Sequence, residues 1–419
     1  LFFQPFDQTW SNIFWFISGL GVFINKDLYK NFSMTRLYKE EKCYIFFSSC
    51  YVIWCFVSLI WSDDVSRGLQ LSGRNITILL FPIFISLARI GGVIKEWDIL
   101  IWAFFAGTLV SSFICIYLSY QDCWYEIDGN IVFSTDIWQR NVTAFEAFGA
   151  GRSYFSYIFL SHFTHPAYFS LHFIFVLVFL INKLWNTDDL KTKIIIIVSI
   201  IYCSVFVFLL QCRAELICLA VCLISSLFFY SFERKCFKLL VFGLCFTIVV
   251  AIIIVPYTRL NGLINGARMS LDRLENQDIE TPIIKENENV RVFLWKNAYE
   301  VIKRQPILGV GVGDADLVMQ RENEKNKFPI ASLCVHNQYL YSWLALGCVG
   351  FLFLLAMLLS SLFYGIKNRY FPLLGFTIAL MIGIMFESML SRRVGIMFIP
   401  LAIQLLMIMS KERNVHNDK

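Results

Sequence analysis

Long apolar runs separated by polar connections organise the whole chain. Residues 193–210 (KIIIIVSIIYCSVFVFLL) carry one charge, at the first position, and residues 239–255 (LLVFGLCFTIVVAIIIV) carry none. Each is about as long as a helix needs to cross a hydrocarbon core of about 30 Å at roughly 1.5 Å per residue. Runs of this kind predict spans at about 10–24, 43–60, 75–90, 98–119, 154–181, 193–210, 214–230, 237–256, 345–364, 371–387 and 394–410. The longest, 154–181, is expected to tilt or to break near Pro166. Segments that alternate apolar and polar residues are missing, which sets aside a transmembrane barrel.

Lysine and arginine sort the connections into two sets. Lys26, Lys30, Arg36, Lys39 and Lys42 follow the first span, and Lys183, Lys191 and Lys193 follow the fifth. Arg234, Lys235 and Lys238 follow the seventh, Lys367 and Arg369 the ninth, and Lys411, Arg413 and Lys419 lie in the tail. These connections fall on one side, which the positive-inside rule makes cytoplasmic. The opposite short connections carry Arg67, Arg74, Arg213, Arg392 and Arg393 and no lysine. On this reading Leu1 is outside. A chain that opens without Met or a signal-peptide n-region is then expected to have one further helix ahead of it, giving twelve spans with both ends inside.

Two outer loops stand out. Residues 120–153 are rich in Trp, Tyr, Asp and Gly; residues 257–340 are much longer. Loops of that length are functional or disordered. Within the second, residues 288–304 (ENVRVFLWKNAYEVIKR) set Val292, Trp295, Ala298, Tyr299 and Ile302 on one helical face. This predicts an amphipathic helix lying near the membrane surface and stopped by Pro306. The polar, acidic stretch 270–289 before it is expected to be mobile. The predicted fold is all-α and polytopic: an N-terminal bundle over 1–256, a large periplasmic loop over 257–340 containing amphipathic helices, and a C-terminal bundle over 341–419.

Composition agrees. The chain is 58% hydrophobic and 16% charged, with mean hydropathy +0.63, against roughly 25% charged in soluble domains. A net charge of +5 is mild and points to basic cytoplasmic loops, not to nucleic acid. Most of the 13 cysteines sit in apolar segments as small hydrophobes. Cys334 and His336 alone do not make a zinc site, which wants four ligands or three plus water.

The polar residues able to carry chemistry share one membrane face. Arg213, in LLQCRAEL, stands where two spans meet; its structural reading is a pair with Glu215 or a snorkelling side chain. Arg291 opens the amphipathic helix, with a lipid-headgroup-facing position as its bland reading. His336 lies where the long loop re-enters the membrane, and Asn337 is placed to cap the helix that follows. The glycine-rich QPILGVGVGD (305–314) reads either as a tight turn or as backbone N–H groups offered to an anion. Glu387 and Arg392 or Arg393 read structurally as a local ion pair between two helix ends. Of five histidines, His162, His165 and His172 lie in the fifth predicted span, with 162 and 165 spaced for one helix face beside a Pro166 kink and a polar cavity.

As an ordered set these residues resemble the O-antigen ligase and polymerase family. Four elements match: Arg213 in QCRAEL; R-x3-W-x2-A followed by P-x2-G-x-G, from Arg291 to Gly311; His336-Asn337 with a later G-x-x-G, Gly347 and Gly350; and E-x4-R-x2-G, from Glu387 through Arg392 to Gly395. With HPAY at 165–168 they cover most of the chain. One departure is that the first Arg, often flanked by Ser and Gly in the family, here lies between Cys212 and Ala214, which are still small.

The resemblance implies a glycosyltransferase of the bacterial inner membrane, facing the periplasm and using no nucleotide sugar, metal or other cofactor. Its donor is a glycan on undecaprenyl diphosphate; its acceptor is lipid A–core or a growing glycan. The family's essential arginines map onto Arg213 and Arg291 and its essential histidine onto His336, with Asn337, Gly311, Glu387, Arg392 and His165 as further substrate contacts. A guanidinium fork stabilises a departing diphosphate, and a neutral imidazole takes the acceptor's proton. A ligase, a polymerase and a protein-glycosylating relative share this donor and differ in acceptor. A transporter or flippase for the same lipid would call for inverted repeats and midplane charges instead.

Overall fold

The computed structural model describes residues 1–6, 34–127, 129–138, 143–149, 151–238, 290–328 and 330–417, with a few positions inside 11–17 and 240–247. The spans expected at 10–24 and 237–256 and the acidic stretch 270–289 lie wholly or mostly outside these residues. Eight helices among the described residues are long and apolar enough to cross a membrane: Lys39–Ile60, Val65–Ile90, Asp98–Asp122, Pro166–Trp185, Leu190–Leu209, Arg213–Glu233, Gln338–Lys367 and Arg393–Glu412. The apolar helix Phe371–Phe386 is shorter. The chain is a multi-pass membrane protein.

In chain order the helices used below are α1 (Lys39–Val57), α2 (Val65–Asn75), α3 (Thr77–Ile90), α4 (Asp98–Asp122), α5 (Pro166–Trp185), α6 (Leu190–Leu209), α7 (Arg213–Glu233), α8 (Val290–Arg304), α9 (Ala315–Lys325), α10 (Gln338–Lys367), α11 (Phe371–Phe386) and α12 (Arg393–Asn417). They form two compact units, Leu1–Phe105 with Arg291–Lys419, and Ala106–Val290.

In the first unit α10 packs on α1 and α11, while α12 packs on α3. Almost all of α12 is buried, so its apolar residues surround the helix instead of forming a stripe. A fully enclosed carboxylate ties three helices together. Glu41 accepts from Ser86 (2.7 Å), Arg89 Nη2 (2.7 Å), Gln404 (3.2 Å) and the Tyr38 N–H (2.7 Å). Arg89 also donates to the Arg36 carbonyl and lies over the Tyr38 ring.

The second feature of this unit is a broken helix. At Gly347 (φ 67°, ψ −172°) α10 leaves helical geometry, which strands carbonyls that lipid cannot satisfy. The glycine-rich segment supplies the missing donors. Val310 N–H donates to Leu344 O (2.9 Å) and Gly311 N–H to Ala345 O (3.0 Å); the Trp54 indole takes Leu346 O (2.9 Å). In return Cys348 N–H and the Trp343 indole donate to Pro306 O. A Cβ on Gly347 would fall on the Ile307 carbonyl, one on Gly309 on the Gly347 backbone, and one on Gly311 on Ser62. Gly347→Ala therefore meets both a backbone clash and a backbone region open essentially only to glycine, itself worth about 1–3 kcal/mol. Its thermal midpoint in detergent should fall clearly below wild type. Gly73→Ala, with open space around its Cβ, should not; equal midpoints would remove this account.

In the second unit α5 is sheathed by α6 and α7. Phe169 and Phe173 of α5 meet Phe206 of α6 at 5.4 and 4.7 Å, and Tyr230 of α7 donates to Asn182 (3.0 Å). The break expected near Pro166 is where α5 begins, with Pro in its first turn, the position where a missing N–H costs nothing. His162 and His165 consequently precede the helix that carries His172, so the helix face expected for 162 and 165 does not form. The all-α expectation also needs one amendment, a hairpin of β1 (Trp124–Ile127) and β2 (Asn130–Phe133) between α4 and α5. The sequence Asp128-Gly129 between the strands is a hairpin signal that the tryptophan and tyrosine content obscured.

Candidate functional site

The site grows from the end of α11. Glu387 follows Phe386, outside helical geometry (φ −147°, ψ 141°), and its Oε2 lies 3.1 Å from His336 Nδ1. The carboxylate is mostly enclosed and the ring about one-quarter exposed. His336 sits in the left-handed region (φ 48°), uncommon for a residue with a side chain and a frequent mark of functional sites. What holds it there comes next in the chain. Asn337 caps α10 by accepting the Leu340 N–H (3.1 Å), while its own N–H donates to Ser388 (3.2 Å). Gln338 Oε1 then takes the Leu390 N–H (2.8 Å). The start of α10 is thus bound across the 387–390 segment at three successive residues, which sets the imidazole against the carboxylate.

Cys334 and Glu387 beside the ring favour its charged form and outweigh the cost of burial, raising the His336 pKa to about 9. Burial acts to raise the Cys334 thiol, but the adjoining ring more than offsets this and draws it below its ordinary value. That direction favours an imidazolium paired with the Glu387 carboxylate over the neutral imidazole expected from the resemblance. The reading of Glu387 as the local partner of Arg392 is corrected. Glu387 serves His336, and Arg392 and Arg393 are both exposed and make no ion pair among the described residues.

Arg291 reaches the same corner from α8. Its guanidinium lies over the ring of Phe386 at 5.9 Å, and Trp295, one turn on, faces that ring at 6.1 Å. Arg291 and His336 thus engage consecutive residues, Phe386 and Glu387. The helix that carries Arg291 is amphipathic as expected, but its buried face is Leu294, Asn297, Ala298, Val301 and Ile302. Val292 and Tyr299, on the apolar face expected to lie near the membrane surface, are 56% and 51% exposed. The buried face has a partner that periodicity does not reveal: α9 bonds to α8 through Asn297–Asn323 (2.9 Å) and the two-pronged Arg304–Glu322 pair (2.7 and 2.8 Å).

Other expected contacts resolve into structural roles. Gly311 offers no free N–H to an anion. Every N–H from Gly309 to Asp314 is spent, on Gln305 O, Leu344 O, Ala345 O, Ser58 Oγ, Ser62 Oγ and Gly311 O. His165 caps α5 through its ring nitrogen. Arg213 opens α7, two residues after Gln211 in the left-handed region (φ 49°), with Glu215 buried in the same turn. It belongs to the second unit. Cys334, weighed in the sequence only as a metal partner of His336, stands beside the ring.

Comparison with known proteins fits this corner. Residues 197–355 match the family model described as O-Antigen ligase, a stretch that holds Arg213, Arg291 and His336. An uncharacterized protein of Haemophilus influenzae is 30% identical over 131 residues, which cover 29% of this chain and 33% of that protein. The aligned part thus spans about a third of the length of that curated relative. Through the segment that runs from α6 into α10, the chain matches the model of the O-antigen ligase family.

Proposed function

We propose that the protein moves a glycan from undecaprenyl diphosphate to a hydroxyl acceptor, lipid A–core in the simplest case, at the periplasmic face of the bacterial inner membrane. The observation that carries the proposal is the His336–Glu387 pair with Arg291 at the same helix end. An acceptor hydroxyl gives up its proton to the Glu387 carboxylate while its oxygen attacks the anomeric carbon. The bond from that carbon to the diphosphate breaks on the opposite face, inverting the centre. The departing diphosphate takes negative charge, which Arg213, Arg291 and the His336 imidazolium stabilise; a guanidinium fork can bind two of its oxygens at once. Such preorganised charge in a site shielded from water is commonly the largest catalytic contribution. Arg213 is assigned to this group by the family motif set.

The pH profile tests the division of labour. With the imidazolium as the working form, transfer by purified protein should be level between about pH 7 and 8 and should fall as pH passes about 9. A rate that climbs through that range would return the base role to the ring. The function itself is tested by deleting the gene and running the surface polysaccharide on a gel. Loss of long chains from lipid A, with those chains accumulating on the carrier lipid, is the expected result. Single repeats on lipid A would make the enzyme the family's polymerase, and an unchanged profile would reject the proposal.

A further inference from the structure

A second cationic feature of the first unit is separate from the His336–Glu387 pair. Arg74, in the last turn of α2, lines a small, partly open cleft of about 20 Å³ together with Tyr51, Gln338, Tyr341, Ser342 and Ser391. No carboxylate lines it among the described residues. Most of its polar wall is already engaged: Gln338 Nε2 donates to Ser342 (3.0 Å), and Ser342 meets Tyr51 (3.3 Å). Two groups are not. The Arg74 Nε is fully buried with no hydrogen-bond partner, and neither the rest of its guanidinium nor the Tyr341 hydroxyl has one among the described residues. Arg393 and Arg392 stand close enough to act on the Arg74 charge. The neighbouring carboxylate, Asp316, is held by Arg67 at 2.6 Å.

A buried guanidinium nitrogen without a partner, as at Arg74 Nε, is costly in any protein and more so beside lipid. Here the unmet groups can all donate, the local charge is positive, and the cleft is open on one side to a guest that its small interior would hold only in part. We propose that this cleft is a subsite for a phosphate-class anion, held by the Arg74 fork and the Tyr341 hydroxyl with Arg392 and Arg393 at its edge. Phosphate fits better than carboxylate because several positive charges converge and the arginine fork matches two phosphate oxygens. The guest is either a diphosphate or phosphate ester of a substrate, or the phosphate of an anionic bilayer lipid. The subsite adjoins the catalytic corner through one short segment, since Leu390 and Ser391 line it and Glu387 pairs with His336.

The test uses the full chain carrying Arg291→Gln, so that the proposed donor site does not contribute. In phosphatidylcholine nanodiscs, sodium pyrophosphate should raise the thermal midpoint. Adding Arg74→Gln should weaken that binding at least about tenfold, as loss of a charged hydrogen-bonding partner does. Adding Arg393→Gln, an exposed position whose change leaves folding intact, should weaken it a few-fold. If phosphatidylglycerol discs stabilise the protein in an Arg74-dependent way while pyrophosphate does not, the same subsite holds a lipid phosphate. Should neither probe stabilise the protein, or should both act equally on the arginine variants, the subsite does not exist. Loss of transfer chemistry alone would leave this binding untouched.

Discussion

Replacing His336 with alanine is expected to lower glycan transfer by roughly 10²–10³-fold, the range for removing one preorganised donor to developing transition-state charge, while the protein inserts and purifies normally. Glu387→Gln should fall in the same range because it removes the ring's ionic partner (3.1 Å) and the proposed proton acceptor together. The effects should not add. Once the pair is broken by either change, the double variant should be little worse than the poorer single one, since residues acting as a unit are not independent. The measurement is transfer from lipid-linked donor to acceptor by purified wild type and variants, with helix content by circular dichroism as the folding control. Near-normal transfer by His336→Ala would end the proposed mechanism. Full additivity would instead separate the two residues' roles.

The second large effect concerns stability. Glu41 is wholly enclosed and Arg89 nearly so, and five hydrogen bonds converge on the two carboxylate oxygens from Tyr38, Ser86, Arg89 and Gln404. Glu41→Ala leaves a guanidinium without its counter-charge in a low-dielectric interior, an event that costs roughly 3–5 kcal/mol. The thermal midpoint in detergent should drop far more than for an ordinary surface change. Replacing both partners, Glu41→Met with Arg89→Met, should recover much of the loss, because the penalty lies in the unpaired charge rather than in the missing attraction. If Glu41→Ala unfolds at the wild-type midpoint, the network is not a keystone of the α1–α3–α12 packing.

How far the sequence reaches is visible in single elements. The spans were legible because the partition of an apolar run into lipid depends on the run itself. Lys39–Ile60, Leu190–Leu209 and Arg213–Glu233 lie close to where hydropathy alone puts them. Pro166 marked a helix boundary for an equally local reason, a ring that cannot continue a helix. Asn337 was legible as a cap because a cap acts three residues away. The ordered Arg, His and Glu motifs named the family, since such motifs survive when their spatial arrangement is unknown.

What the sequence could not supply is everything decided by residues distant in the chain. Glu387 lies 51 positions from His336 and five from Arg392, and sequence proximity favoured the wrong partner. The buried face of α8 was set by α9, whose presence no periodicity within 288–304 could register. The glycines at 309–313 looked like an anion loop or a bare turn; only the break at Gly347, with its stranded carbonyls, shows that they complete another helix. Arg74 looked like one more outer arginine until folding buried its Nε in a cleft without a carboxylate. Hydropathy and short-range sterics belong to the chain segment by segment, so sequence alone determined which stretches enter the membrane and where helices stop. Charge pairing and hydrogen-bond satisfaction belong to whichever groups meet in space, and those only the tertiary structure decided.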